Sequence, residues 1–214
     1  MLIRREVTST GALMGIWKME ETTEELLSLF PERLKNDAIL YLRSIRSKRR
    51  STEWLSTRIM LFELLDDQKT IGNHDDGKPY IVDSPYNISI SHTKEYAAIL
   101  LHKTLQVGID IEIRSERVRK IANRFISKNE YIDSSQKALH QLLHWSAKES
   151  LFKLMDERGI DFRDHLFVKP FTPSENGIIT AIEFRTSQSQ EFTVNYEVHP
   201  EYVLTWVADN QHKS

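Results

Sequence analysis

The sequence predicts an α+β fold, and three stretches of its second half carry this prediction. Residues 107–113 alternate apolar and polar side chains, which is typical of a β-strand. Between residues 139 and 154, apolar residues recur at spacings of three and four, which predicts a helix with one buried stripe. After His165, four short runs predict an antiparallel set of strands: residues 165–171, 177–184, 191–198 and 202–207.

The first half predicts strands and helices that precede those elements. Residues 2–7 and 12–17 predict two short strands. Thr22 and Glu25 form a capping box at the start of a helix, and Pro31 suits the first turn of the next one. Ser51 is the predicted cap of a third helix.

A basic cluster is predicted at the end of the second helix. Its members are Arg43, Arg46, Lys48, Arg49 and Arg50. Cations are favourable near a helix C-terminus for dipole reasons alone. The alternative is a phosphate clamp, because the guanidinium fork matches phosphate oxygens.

Two polar segments follow this helical region. Residues 73–79 form a loop rich in turn residues, in which Gly77 permits close backbone approach and Lys78 can place an ammonium against a phosphate. Ser91 and His92 end a predicted strand and could donate hydrogen bonds to a diphosphate. A histidine at such a position can equally be a structural hydrogen-bonding residue.

The alternating stretch places Asp110 and Glu112 on one face, with Cα atoms about 6–7 Å apart. Such close carboxylates favour a bound cation, and Mg²⁺ prefers oxygen ligands. A solvated edge strand is the alternative. In the later helix, Glu149 and Lys153 are four residues apart and share a patch, which could also be an ordinary exposed ion pair.

Residues 114–125 predict a basic amphipathic helix, because Val118, Ile121, Ala122 and Phe125 lie at helical spacing. Such a helix suits an acidic partner, although a solvated helix face would show the same pattern.

Composition excludes several classes of protein. The chain of 214 residues has no cysteine, which excludes disulfides and thiolate chemistry. Its net charge of −2 predicts no nucleic-acid partner. No run approaches the length of a membrane span, and the N-terminus lacks a signal-like apolar region, so we predict a cytoplasmic protein without a membrane partner.

Four motifs together resemble a known family. They are Gly77-Lys78-Pro79, the segment 86–93 with Ser91-His92, the Gly-Ile-Asp-Ile-Glu sequence of residues 108–112, and Trp-Ser-Ala-Lys-Glu-Ser-Leu-Phe-Lys of residues 145–153. In this order they resemble the 4′-phosphopantetheinyl transferase superfamily, in particular its Sfp-type members. The resemblance implies a pseudo-dimer of two similar α/β halves with the active site in the cleft between them. It places an N-terminal half at 1–104, with the segments that bind coenzyme A phosphates, and a C-terminal half at 105–214, with the metal site and the carrier-protein docking region.

The resemblance also implies a reaction. The 4′-phosphopantetheine arm of coenzyme A moves to a serine hydroxyl of an apo acyl or peptidyl carrier protein, and 3′,5′-ADP leaves. The metal, Mg²⁺ with Mn²⁺ as an alternative, is assigned to Asp110, Glu112 and Glu149. The catalytic residues are Glu149, Lys153 and Asp110. Coenzyme A is assigned to seven residues: Arg49, Arg50, Gly77, Lys78, Pro79, Ser91 and His92.

Two other functions stay open at this point. One is a non-catalytic relative that binds coenzyme A and serves as a partner of a carrier-protein system. The other is a Mg²⁺-dependent nucleotide phosphohydrolase. The resemblance predicts a monomer acting in lipid or secondary metabolite biosynthesis, and does not identify the carrier.

Overall fold

A computed structural model describes residues 1–155, 159–185 and 189–210, and divides the chain into two compact units, Met1–Thr104 and Leu105–Ser214. Each unit combines an antiparallel sheet with a long helix, so the predicted α+β class is confirmed. In the part of the chain that is described, no helix has the length and apolar character needed to cross a membrane.

The first unit contains six strands and three helices. In chain order they are β1 (Leu2–Val7), β2 (Leu13–Lys18), α1 (Thr23–Ser28), α2 (Glu32–Ser44), α3 (Lys48–Leu65), β3 (Ile71–Asn73), β4 (Pro79–Ile81), β5 (Asn87–His92) and β6 (Tyr96–His102). Four strands form a sheet in the order β1-β2-β6-β5, and β3 pairs with β4. Helix α3 packs on β2 and β6, where Leu55, Leu61 and Ile99 belong to the core.

The start of α3 corrects one prediction. The Thr22 capping box is present, but α3 is capped by Ser47 rather than Ser51. Lys48, Arg49 and Arg50 therefore form the first turn of α3 instead of the end of the preceding helix. Cations are unfavourable at a helix N-terminus, so the helix dipole does not account for this part of the basic cluster.

The described residues of the second unit form five strands and one long helix. They are β7 (Gln106–Ile113), α4 (Lys137–Leu154), β8 (Leu166–Val168), β9 (Asn176–Glu183), β10 (Glu191–Val198) and β11 (Tyr202–Asp209). The sheet order is β7-β11-β10-β9-β8. The predicted apolar stripe of α4 lies in the core of this unit, and the four strands predicted after His165 are all present.

The predicted helix at 114–125 is wrong. Two short 3₁₀ helices, Glu116–Lys120 and Ala122–Arg124, occupy this segment. Ile121, with φ of −117° and ψ of 3°, interrupts helical geometry between them, and Lys148 Nζ donates to the carbonyl of Phe125 at 2.6 Å where the segment ends. Val118, Ala122 and Phe125 nevertheless lie in the core of the second unit, so the apolar residues of this segment are buried as expected.

The two units arrange their strands and long helix in a similar order along the chain, although their sequences show no repeat. In each, the strand before the long helix pairs with the last strand of the unit: β2 with β6, and β7 with β11. The third residue of each leading strand is a glycine, Gly15 or Gly108, whose missing side chain faces the long helix. Two similar α/β halves, as the resemblance implied, are therefore visible in the topology.

Candidate active site

Strand β7 and helix α4 bring together four charged side chains, Asp110, Glu112, Glu149 and Lys153, which we call the acidic cluster. Asp110 is only 3% exposed. Its Oδ1 accepts a hydrogen bond from Lys153 Nζ at 2.7 Å, and its Oδ2 accepts one from Ser146 Oγ at 2.8 Å. Lys153 Nζ also donates to the carbonyl of Ile109 at 3.1 Å. The first acid of the predicted site is thus held by a lysine and a hydroxyl.

The other two carboxylates are partly protected from solvent and electrostatically coupled to Asp110. Burial raises the pKa of Glu149 to about 7, with Asp110 and Glu112 adding to the shift and Lys153 opposing it. Burial, followed by the charge of Asp110, also raises the pKa of Glu112, against a hydrogen bond from Trp145 Nε1 at 2.7 Å. The three acids therefore act on one another, and Glu149 has a pKa near neutrality.

The chemistry of this cluster fits a divalent cation. Its donors are carboxylate oxygens, which Mg²⁺ prefers, and one ammonium does not balance the charge of three ionised carboxylates. Within the described ranges, however, no group of three or more His, Cys, Asp or Glu side chains is arranged to hold a metal ion. In this arrangement Asp110 and Glu112 accept hydrogen bonds from Lys153, Ser146 and Trp145 instead. The assignment of Mg²⁺ to Asp110, Glu112 and Glu149 stays a prediction.

The first unit carries a second candidate feature, an open groove of about 880 Å³ that we call the basic groove. Its lining includes Arg46 and Arg50 of the basic cluster, Arg58 of α3, Gly77 and Pro79 of the loop at 73–79, and His92 at the end of β5. One acid, Glu53, also lines it; this buried side chain has Oε1 2.8 Å from Arg49 Nε and 3.4 Å from His92 Nδ1. The groove therefore presents more positive than negative side chains.

The backbone conformation at position 77 explains why the residue there is glycine. Its φ is +90°, a left-handed conformation, and its N–H donates to the carbonyl of His74 in the turn between β3 and β4. A Cβ built at this position would meet no atom within 4 Å. Glycine is therefore required by the conformation of the turn, and the absence of a side chain leaves space beside the groove.

The remaining predicted coenzyme A residues lie outside the lining of the groove. Arg49 pairs with Glu53, and its side chain is 62% exposed. Lys78 lies in the turn that contains Gly77. Ser91 is buried on the face of β5 opposite to His92, because neighbouring residues of a strand point to opposite faces. The roles of these three residues stay predictions.

Comparison with known proteins gives a family match in the segment that holds the acidic cluster. Residues 106–207 match the model described as the 4′-phosphopantetheinyl transferase superfamily. The second unit is therefore similar to members of this superfamily, over slightly less than half of the chain. The resemblance indicated by the four motifs is therefore confirmed.

Two curated relatives support the Sfp-type affiliation. The chain is 33% identical over 135 residues to 4′-phosphopantetheinyl transferase Sfp of Bacillus subtilis, an alignment that covers 60% of this chain and 58% of the relative. It is 39% identical over 82 residues to 4′-phosphopantetheinyl transferase gsp of Aneurinibacillus migulanus, which covers 36% of this chain and 34% of that relative. The chain thus spans less than two thirds of the length of each of these two superfamily members.

Arg58 was not among the residues predicted from the sequence, although its helical spacing from Arg50 indicated it. Arg50, Trp54 and Arg58 lie at i, i+4 and i+8 of α3 and so share one face. The guanidinium of Arg58 lies 3.9 Å from the centroid of the Trp54 ring and donates to the Trp54 carbonyl at 3.2 Å. Burial lowers its pKa to about 10, so it stays charged at neutral pH. Among the ion pairs found in the described ranges, none contains Arg58.

Helix α4 also carries one half of a fully buried ion pair, formed by Lys148 and Glu130. Lys148 Nζ lies 2.7 Å from Glu130 Oε1, and both side chains are 0% exposed. Lys148 also donates to the carbonyls of Phe125 and Phe162, while Glu130 accepts from the backbone N–H of Ser127 and Val168. This pair connects α4 to the segment around residues 125–130 and to β8.

Proposed function

We propose that this protein transfers the 4′-phosphopantetheine arm of coenzyme A to a serine hydroxyl of an apo acyl or peptidyl carrier protein and releases 3′,5′-ADP. We further propose that it requires Mg²⁺ and acts as a cytoplasmic monomer. The observation that carries this proposal is the acidic cluster, in which buried Asp110 pairs with Lys153 while Glu149 has a pKa raised to about 7. The cluster lies within the segment that matches the family model.

The basic groove supports a place for the phosphates of coenzyme A. Arg50, Arg58 and His92 line one continuous groove. Arg58 has the strongest reason to bind a phosphate, because a half-buried guanidinium gains most from an anionic partner that can accept its hydrogen bonds. We assign the 3′-phosphate to Arg58, with Arg50 beside it, whereas the resemblance pointed to either Arg49 or Arg50.

The proposed reaction needs a proton acceptor. The carrier serine Oγ attacks the β-phosphorus of coenzyme A, the bond from that phosphorus to the bridging oxygen breaks, and 3′,5′-ADP leaves. The serine proton passes to Glu149, a carboxylate of the acidic cluster that can act as the general base. Lys153 places an ammonium beside Asp110, where it can stabilise charge that develops on the phosphoryl oxygens.

The metal assignment follows from the donor set. Asp110, Glu112 and Glu149 would hold Mg²⁺, which when bound supplies charge neutralisation on the transferring and leaving oxygens. None of the four side chains of the cluster is placed to form a covalent intermediate under this proposal. Their work is binding, orientation and proton transfer.

The test is an intact-mass measurement. The protein is incubated with coenzyme A, Mg²⁺ and an apo carrier protein, and the carrier is then weighed beside a variant whose acceptor serine is replaced by alanine. We expect the carrier to gain the mass of one phosphopantetheine arm, the alanine carrier to gain nothing, and 3′,5′-ADP to appear in equal amount.

The same assay separates the other two functions. Coenzyme A that binds but modifies none of several carriers would support a non-catalytic partner of a carrier-protein system. Nucleotide hydrolysis without any carrier would support a phosphohydrolase. Either result would overturn the proposed transfer.

A further inference from the structure

Asp110 lies opposite a threonine in the sheet, in a place where the surrounding core is apolar. Strands β7 and β11 pair so that Thr205 is the partner of Asp110, with Val203 and Val207 next to Thr205 on the same face. Both valines belong to the core of the second unit, and Thr205 is 0% exposed. A hydroxyl buried in such a core costs free energy unless it is hydrogen-bonded.

Helix α4 approaches this pair of strands unusually closely. A Cβ built on Gly108 would lie 1.9 Å from the carbonyl oxygen of Ser150, so only glycine permits this approach. Ser146 and Ser150 are four residues apart and therefore face the strands together. Both are 0% exposed.

The close approach creates a chain of three hydroxyls that ends on Asp110. Ser150 Oγ lies 2.6 Å from Thr205 Oγ1, Thr205 Oγ1 lies 2.9 Å from Ser146 Oγ, and Ser146 Oγ donates to Asp110 Oδ2 at 2.8 Å. Thr205 Oγ1 also donates to the Ser146 carbonyl at 2.8 Å, and Ser150 Oγ donates to the Thr205 carbonyl at 3.0 Å.

Each hydroxyl of this chain carries one proton. An ionised carboxylate only accepts hydrogen bonds, so the proton of Ser146 points to Asp110. The proton of Thr205 is shared between its two acceptors on Ser146, the hydroxyl oxygen and the carbonyl oxygen. With either acceptor Thr205 holds Ser146, and Ser146 holds Oδ2 of Asp110 while Oδ1 faces Lys153.

We propose that Thr205 is a positioning residue, which acts through Ser146 to hold the carboxylate of Asp110 in the orientation needed for phosphopantetheinyl transfer. An apolar side chain at position 205 would match the neighbouring valines and would need no partner. The presence of a hydroxyl at position 205 is therefore explained by its link to Asp110 rather than by core packing. Because Asp110 matters only if the chain carries out the proposed transfer, this inference rests on that function.

The test compares Thr205→Val, which removes the hydroxyl with little change of shape, with Thr205→Ser, which keeps the hydroxyl and removes a methyl group. We expect Thr205→Val to lower kcat by about 10–100-fold, the usual effect of losing a residue that orients a ligand, with an unchanged KM for coenzyme A. Thr205→Ser should recover most of kcat while melting at a lower temperature than the wild type, because it leaves a small cavity. Thr193→Val, at an exposed position of the neighbouring strand β10, is the matched control and should leave kcat unchanged.

A second measurement does not depend on turnover. The affinity of each variant for Mn²⁺ is measured by electron paramagnetic resonance. It should fall by a similar factor in Thr205→Val and stay near the wild-type value in Thr205→Ser. Wild-type kcat and Mn²⁺ affinity in Thr205→Val would overturn the positioning role and leave the proposed function intact. Equal losses in Thr205→Val and Thr205→Ser would also overturn it, since packing would then be responsible. A wild-type protein that modifies no carrier would overturn the proposed function and this inference together.

Discussion

Residues of one chemical type have different surroundings in this protein, and the surroundings suggest their roles. Arg49 and Arg58 lie on the same helix, yet Arg49 is exposed and paired with Glu53, whereas Arg58 stacks on Trp54 and lines the basic groove. Asp110 and Glu149 differ in the same way, because Asp110 is fixed by Lys153 and Ser146 while Glu149 carries the raised pKa.

The two arginines make a matched pair for testing the 3′-phosphate assignment. Arg58→Gln should raise the KM for coenzyme A by about 10–100-fold, because a charge-assisted hydrogen bond contributes about 1.5–3 kcal/mol. The KM for 3′-dephospho-coenzyme A should change little. Arg49→Gln is the control, and we expect it to leave both values near those of the wild type. A larger loss in Arg49→Gln than in Arg58→Gln would return the assignment to Arg49.

The buried pair Lys148–Glu130 gives a stability prediction. Removal of one partner leaves the other charge buried and alone, which typically costs about 3–5 kcal/mol. We therefore expect Lys148→Met to lower the free energy of unfolding, measured in urea, by about that amount. Lys148→Met combined with Glu130→Gln should recover part of the loss, because no unpaired charge remains and the glutamine can still accept a hydrogen bond from Val168 N–H. Lys169→Met, which breaks an exposed pair with Glu191, should have little effect. Equal unfolding free energies for the single and double variants would contradict this reading.

Among the secondary-structure elements, α4 makes contacts of several different kinds. Its buried residues include the apolar stripe, Ser146 and Ser150 beside the sheet, Lys148 toward Glu130, and the two histidines His140 and His144. His144 Nδ1 bonds to the His140 carbonyl at 2.9 Å, and its ring stacks on Phe171. Burial lowers the pKa of His144 to about 3, so this ring is neutral in the folded protein.

His144 should make the stability of the protein depend on pH. The unfolded chain takes up a proton at this residue below a pKa of 6.5, while the folded chain does so only near 3. Stability is therefore fully present above pH 6.5 and decreases as the pH falls toward 3. Between pH 7 and pH 5, we expect the wild type to lose about 2 kcal/mol of unfolding free energy through this residue. His144→Gln should lose that much less over the same range in urea titrations. Identical pH dependence in the two proteins would show that His144 is not held neutral.

Elements with a strong local pattern were predictable from the sequence. The alternation of 107–113, the stripe of α4 and the runs after His165 each determine one element, and all are present. The start of α3 was misplaced because both Ser47 and Ser51 can cap a helix, and only Ser47 accepts the bond from Arg50 N–H. The 3₁₀ segment was misassigned because apolar residues three and four positions apart also fit two short 3₁₀ turns separated at Ile121, so the spacing alone does not distinguish the two geometries.

The candidate site was predictable only where it lies in short motifs. Asp110, Glu112, Glu149 and Lys153 follow from two such motifs. Thr205 could not be found, because its importance depends on the register between β7 and β11. Arg58 lay outside any motif, although its helical spacing from Arg50 pointed to it.

At the scale of the whole molecule, the chain consists of two units that have similar topology but different side chains at corresponding positions. Gly15 and Gly108 occupy the same position in β2 and β7, but two residues later the first unit has buried Trp17 and the second has Asp110. The fold is thus repeated, whereas the acidic cluster belongs only to the second unit. The first unit contributes the basic groove instead.

The basic segment between β7 and α4 predicts how an acidic carrier protein binds. Replacing both Arg119 and Lys120 by glutamate should raise the KM for the carrier, and the difference from wild type should shrink at high salt because exposed charges are screened. The KM for coenzyme A should stay constant. Lys169→Glu, an exposed charge reversal elsewhere in the second unit, is the control. An unchanged carrier KM would remove this segment from the docking surface.

We propose that the acidic cluster performs phosphopantetheinyl transfer from coenzyme A. The most direct test of this proposal is the single-turnover rate of carrier modification at saturating coenzyme A and Mg²⁺, measured by intact mass for the wild type and for Glu149→Gln. We predict that the wild type modifies the carrier and that Glu149→Gln does so about 10²–10⁴-fold more slowly, the range expected when a general base is removed. Equal rates in the two proteins, or no modification by the wild type, would contradict this claim.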